Sequence, residues 1–153
     1  MSKLLVYNIR KEKYATKLTA SGVANRWNLD NQYVIYSASS RALATLELVV
    51  HKSAIAVNLD YKVLVIELNV SEKDVLNVEL SKLPKNWQSM AAYSKLQSVG
   101  NVWYKEKKHL IMKVPSAIIP QEFNFLINTQ HADFDKKVKL KAVENFAWDE
   151  RLF

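Results

Sequence analysis

The chain contains no cysteine, which removes zinc ribbons, iron–sulfur sites, thiol catalysis and disulfide frameworks together. It has only two glycines, Gly22 and Gly100, too few for a Walker A loop or a G-x-G-x-x-G turn. Its three histidines, His51, His109 and His131, stand far apart, and no H-E-x-x-H or H-x-x-x-H pair occurs, so no metal site is expected. No apolar run approaches the roughly 20 residues that a membrane-spanning helix needs. The opening apolar run is interrupted by the polar Asn8 and Arg10, too early for a signal-peptide core. The expectation is a cytoplasmic chain.

What is present suits one compact domain over residues 1–153. Hydrophobic residues make up 49% and charged residues 24%, and there are only three prolines, which excludes disorder. A chain of 153 residues buries on the order of 70% of its unfolded surface, enough for a core without staples. The net charge is +7. Such a balance raises nucleic acid as a partner. However, the lysines are scattered and no helix-turn-helix, finger or ribonucleoprotein motif accompanies them, so charge speaks here to steering and solubility.

Residues 4–10, 33–37, 61–68, 75–80, 109–114, 124–128 and 137–143 read as strands, the run YKVLVIEL at 61–68 being the clearest. Residues 41–51 and 87–104 read as helices, the first capped by Ser39 or Ser40, the second broken near Gly100. Strands and helices alternate without βαβ spacing, so the expected class is α+β with a mixed sheet. Lys137, Lys139 and Lys141 would then line one solvated strand face.

The helix at 41–51 is apolar on nearly all sides, which predicts that it is largely buried. Glu47 stands in its middle, where a carboxylate is costly unless paired. One reading is a structural pair with His51 at i+4 or with a distant cation, and the other is a functional carboxylate. Arg26-Trp27-Asn28 lies in a polar stretch. An arginine beside an indole can clamp a phosphate next to a stacking wall, or simply rest its stem on the ring. Tyr36 ends the next strand. Ser116 follows Val114-Pro115 outside any G-x-S-x-G elbow, which leaves a serine-hydrolase triad without support and makes a turn serine bonding local backbone the default. In an extended 123–128, Asn124 and Asn128 share a face, where two amides could read a polar ligand or satisfy a neighbouring loop.

Taken in order, these segments resemble the RES domain family, the toxin half of bacterial toxin–antitoxin pairs, named for an Arg, a Glu and a Ser. The matching stretches are Arg26-Trp27-Asn28, Tyr36-Ser37, Ala42 to Glu47, Gly100-Asn101-Val102-Trp103, Val114-Pro115-Ser116, Asn124 to Asn128 with His131, and Phe146 to Leu152. The family usually carries two glycines before its Arg-Trp-Asn, where this chain has Ala24 and Asn25. It often has a proline after its strand asparagine, where this chain has Thr129.

The resemblance implies an ADP-ribosyltransferase-like α+β fold that takes NAD as substrate, with inorganic phosphate a possible co-substrate and no resident cofactor. It implies cleavage of the nicotinamide–ribose bond by phosphorolysis or hydrolysis, with ADP-ribosylation of a protein as the alternative. It implies an Xre-type helix-turn-helix antitoxin as partner, and a homodimer within that complex. On this reading Glu47 holds the ribose 2′-hydroxyl and faces the developing cation, and Arg26 binds phosphate. Tyr36 packs on the nicotinamide, and Ser116 bonds the nicotinamide side or orients Glu47. Trp27, Asn28, Asn124 and Asn128 are further ligand or loop contacts. A basic nucleic-acid-binding module is the non-enzymatic alternative.

Overall fold

The computed structural model describes residues 2–51, 60–149 and 151. Of the C-terminal stretch that resembles the family, Glu150 and Leu152 lie outside the described residues. The strands are β1 (Ser2–Lys11), β2 (Val34–Ala38), β3 (Tyr61–Val70), β4 (Val75–Asn77), β5 (Ile111–Pro115), β6 (Phe123–Asn128) and β7 (Val138–Phe146). The α-helices are α1 (Arg41–Val50), α2 (Tyr93–Glu106) and the single turn α3 (Phe134–Lys137). All strands join one seven-stranded mixed sheet in the order β4-β5-β6-β2-β1-β3-β7. Among the described residues only β4 and β5 pair in parallel. The α+β class expected from the sequence is the one found.

Strand alternation sorts the core onto two faces. Val6, Ile35, Leu64, Ile66, Phe125 and Ile127 form one cluster. Val34, Met112, Val114 and Leu126 form another, covered by Leu96 and Trp103 of α2 and by Trp27 and Trp87. A third, smaller cluster joins Leu43 and Ala44 of α1 to Ala38, Tyr7 and Ile9. The Ser40 hydroxyl oxygen caps α1 by accepting from the Leu43 N–H at 3.1 Å, an interaction worth about 1 kcal/mol.

Three expectations need correcting. First, α1 buries only Leu43 and Ala44, and Val50 is 55% exposed. The helix rests one side on β1 and β2 and turns another toward a cavity, so its apolar residues are half-buried rather than enclosed. Second, α2 runs through Gly100 without a break. The glycine marks a close approach, since a Cβ there would lie 1.6 Å from the Trp27 carbonyl oxygen. Third, Lys137 is not on a solvated strand face. It ends α3 and is buried against Asp74, Nζ to Oδ1 2.9 Å, with Asp133 at 3.6 Å.

Burial pushes the Asp74 carboxyl up, but the Ser71 N–H at 2.9 Å and the Lys137 ammonium more than offset this, leaving it below its ordinary value. A carboxylate with a depressed native value stabilises the fold above its unfolded value, and that contribution fades as pH falls through the native one. Lys137→Met strands this carboxylate. The variant should melt below wild type at pH 7, and the gap should close below about pH 4 as the carboxyl protonates. Thermal melts across that range check it; a gap independent of pH would show that the pair contributes only packing.

Candidate functional site

β1 and β2 are neighbours in the sheet, yet they pair at a single position, Tyr7 with Ala38, and then diverge. Across the gap the Asn8 amide donates to the Tyr36 carbonyl at 2.7 Å. A cavity of about 230 Å³ lies at this opening. It is walled by Tyr7, Asn8 and Ile9 of β1, Tyr36 and Ser37 of β2, Ala44, Glu47 and Leu48 of α1, Arg26, and Asn124. Five of the residues expected from the sequence therefore meet at one place: Arg26, Trp27, Tyr36, Glu47 and Asn124.

The Glu47 carboxylate is held by two donors. The Asn124 amide donates to Oε1 at 2.8 Å and the Ser116 hydroxyl to Oε2 at 3.2 Å. Burial raises the Glu47 carboxyl above the ordinary value. The bonds from Asn124 and Ser116 and the charge of Arg26 oppose the rise without cancelling it. The side-chain pair with His51 is not what satisfies Glu47. His51 caps α1 with its backbone N–H on the Glu47 carbonyl at 3.3 Å, and it lines the cavity.

Ser116 is fully buried and stands behind Glu47 rather than on the cavity wall. Its oxygen also accepts from the Ile118 and Ile119 N–H groups at 3.2 and 3.3 Å. Of the two roles considered for it, orienting Glu47 is the one its contacts serve. Asn124 does the same from β6, its amide also donating to the Ser37 carbonyl at 3.2 Å.

Arg26 sits on a loop fastened from three sides. Asn25 and Asn28 bridge through their backbones at 3.1 and 3.3 Å. From α2, the Gln97 amide reaches the Asn25 carbonyl at 2.9 Å, and Asn101 accepts from Gln32 at 2.7 Å. Neither Ala24 nor Asn25 takes a positive φ, so the loop that replaces the family's glycines uses backbone angles open to any residue. Arg26 Nη1 donates to the Trp87 and Gln88 carbonyls at 3.1 and 3.0 Å, and the guanidinium lies 4.9 Å from the Tyr93 ring centre. No carboxylate within salt-bridge distance of Arg26 is found among the described residues, so its charge is available to an anion.

Two expected ligand contacts, Asn28 and Asn128, lie away from the cavity, and a third, Trp27, borders it from the core. The Asn28 amide is buried and spends its hydrogens on the Val23, Leu29 and Gln32 carbonyls at 3.0 to 3.2 Å, while its oxygen accepts from the Tyr36 hydroxyl at 2.7 Å. Asn128 is buried, donating to the Tyr104 carbonyl at 3.0 Å and accepting from the Gln130 N–H at 2.9 Å. Neither lines the cavity; each closes its own loop. Trp27 borders the cavity, but the residue is buried in the core, where it packs with Leu96 and Trp103.

Tyr36 is more than a packing ring. Its hydroxyl accepts from the Trp27 N–H at 2.9 Å while donating to Asn28, so it pins the arginine loop to β2. Burial pushes its ionisation far above the usual tyrosine value, chiefly by desolvation, which keeps the hydroxyl protonated. Tyr7, Asn8 and His51 were missed as cavity residues. A signal for Asn8 existed, since it is a polar residue that follows the apolar run Leu4–Tyr7 within the opening strand.

Set against known proteins, residues 5–149 match the sequence profile of the RES domain. A toxin of Sphingobium sp. (strain YBL2), named Prs ADP-ribosylating toxin, is 34% identical over 130 residues, covering 83% of this chain and 79% of that protein. Toxin Res of Yersinia enterocolitica is 29% identical over 153 residues, covering 97% of this chain and 99% of that protein. The fold is shared with the crystal structure of the M. tuberculosis MbcT–MbcA toxin–antitoxin complex. The TM-score is 0.76 and the identity 15%, over 95% of this chain and 85% of that one. With residues 5–149 matched, and with Arg26 and Glu47 on one cavity and Ser116 bonded to Glu47 from behind, the protein belongs to the RES domain family, a toxin family of toxin–antitoxin systems.

Proposed function

We propose that this chain is the toxin of a toxin–antitoxin pair and acts by cleaving the nicotinamide–ribose bond of NAD. The observation that carries the reading is a single carboxylate, Glu47, oriented by two donors at the wall of a cavity that also presents the Arg26 cation. Breaking the C1′–N bond leaves the electron pair on the ring nitrogen, so the pyridinium departs as neutral nicotinamide. No general acid is required for that departure. Charge develops instead on the ribose, as in glycoside hydrolysis. Glu47 accepts the 2′-hydroxyl and faces that charge in a partly desolvated site, where a fixed carboxylate acts strongly. Arg26 takes the pyrophosphate or an incoming phosphate, and Tyr36 borders the nicotinamide. Ser116 and Asn124 hold the carboxylate in place.

Water or phosphate then attacks C1′, its oxygen forming the new bond and its proton passing to solvent. The product is ADP-ribose or its 1″-phosphate. The +7 charge favours approach of anionic substrates. A second reading, transfer of ADP-ribose to a protein, is favoured by the ADP-ribosylating name of the Sphingobium relative. The family resemblance further supports an Xre-type antitoxin, a homodimer within the complex and a cytoplasmic setting; no helix among the described residues is long and apolar enough to cross a membrane.

Purified protein freed of any antitoxin should consume NAD and release nicotinamide in equal amount. NAD labelled in the ADP-ribose half separates the readings: label in small molecules means degradation, and label on protein means transfer. Persistence of NAD in both formats would overturn the proposal.

A further inference from the structure

The opening between β1 and β2 does not end at the cavity that holds Glu47. A second cavity of about 470 Å³ continues along it, sharing Asn8, Asn25 and Tyr36 with the first. Its walls add Arg10, Tyr14 and the segment Thr19, Ala20 and Ser21. Together the two form a divided cleft with Glu47 at one end and Arg10 at the other. Glu47 alone accounts for one ribose. It leaves the far cavity without a role.

The far cavity carries the groups that a nucleoside phosphate needs. Arg10 is half-buried, and none of its described hydrogen bonds or ion pairs uses a carboxylate or Nη2. Nε donates to Asn8 Oδ1 at 2.7 Å, and Nη1 to the Thr19 carbonyl at 2.9 Å and the Tyr14 carbonyl at 3.4 Å. These contacts fix the plane of the guanidinium without neutralising it. A partly desolvated cation in that condition gains from an anionic partner. Burial alone lowers its ionisation, which reports the same missing counter-charge. Tyr14, 56% exposed, adds an aromatic ring at the rim, with the Lys13 Nζ 5.0 Å from the ring centre as a further cation beside it.

We propose that the far cavity is the subsite for the adenosine-phosphate half of the dinucleotide, with Arg10 on its phosphate and Asn8 holding the guanidinium in position. This deepens the NAD-cleaving reading and rests on it. Arg26 and Arg10 then meet successive anionic groups along one substrate, while Glu47 meets the ribose whose bond breaks.

Two fragments test the assignment as competitors of NAD cleavage: AMP for the far half and nicotinamide mononucleotide for the near half. Loss of one charge-assisted hydrogen bond weakens binding by about 10- to 100-fold. Arg10→Gln should therefore weaken AMP at least tenfold more than it weakens the mononucleotide, and Arg10→Lys should restore part of the difference. Equal weakening of both fragments would mean that Arg10 only braces the Tyr14–Thr19 segment, and would overturn the subsite. So would a wild-type protein that cleaves NAD yet ignores AMP at millimolar concentration. If wild type leaves NAD intact, the cleavage reading fails; titration calorimetry with AMP on wild type and Arg10→Gln then decides the subsite alone.

Discussion

Glu47→Gln should cut NAD cleavage by about 10²–10³-fold, the size expected for removing one fixed electrostatic group from a transition state. The same change should leave the fold intact. A glutamine can turn its oxygen toward the Asn124 amide, so the shorter of the two bonds survives, while the Ser116 hydroxyl, whose oxygen already accepts from Ile118 and Ile119, keeps its backbone bonds and loses only the one to residue 47. What it removes is a charge that burial disfavours.

The sign of the pH effect follows from the direction of the Glu47 shift. Its native carboxyl value is raised, chiefly by burial. The native state therefore holds a proton more tightly than the unfolded chain does, and stability contributed by this group declines as pH rises from about 4.3 through the native value. Glutamine has no such decline. The melting temperature of Glu47→Gln relative to wild type should rise between pH 4 and pH 7. In parallel, the acid limb of wild-type cleavage should lie above the ordinary glutamate range, because the reaction uses the ionised form. A variant that keeps full activity and causes growth arrest would refute the role assigned to Glu47. A melting difference that stays flat with pH would refute the electrostatic cost.

Gly100→Ala should destabilise the protein by about 3 kcal/mol, the upper end of ordinary overpacking. The competing effect is small and of opposite sign: alanine gains about 1 kcal/mol over glycine in a helix interior. The steric side wins because the new Cβ would lie 1.6 Å from the Trp27 oxygen and 2.8 Å from its carbonyl carbon. Neither atom is a flexible side-chain tip, so α2 or the arginine loop must shift as a body. For a domain of this size that corresponds to a fall in melting temperature of roughly 6–12 °C. Arg26 precedes Trp27, so cleavage should fall as well. Ser98→Ala, one half-turn earlier on the exposed side of α2, is the control and should melt within a degree or two of wild type. An unchanged melt for Gly100→Ala would show that the contact between helix and loop is slack.

Gly100 also marks where local reading reaches its limit. In sequence it looks like a helix break, because glycine weakens helices and nothing nearby explains its presence. The reason lies 73 positions away, at the Trp27 carbonyl. Lys137 misleads in the same manner. It alternates with Lys139 and Lys141 as an edge strand would, yet Asp74 draws it inward. Asn28, Asn124 and Asn128 are three amides of one chemical type with three destinations, and only Asn124 reaches the site. An amide's partners are set by whichever backbone groups fold within 3 Å of it, and those are not written next to it in the chain.

Periodicity and composition by themselves determined the class of fold, the single domain and the strands from β1 to β7, because alternation of apolar residues is a local property that burial rewards directly. They also determined which chemistries are absent, since a missing cysteine or glycine-rich loop cannot be supplied by folding. They marked Glu47 as anomalous on an apolar helix. Only the tertiary structure decided what surrounds that anomaly. It brought Asn124 from β6 and Ser116 from beyond β5 onto one carboxylate, set Arg26 across the same cavity, and opened β1 from β2 so that Arg10 lines a second one. These juxtapositions span dozens of residues and depend on strand order and on a gap between neighbouring strands. Both are settled by how the whole core packs, and neither leaves a local mark on the chain.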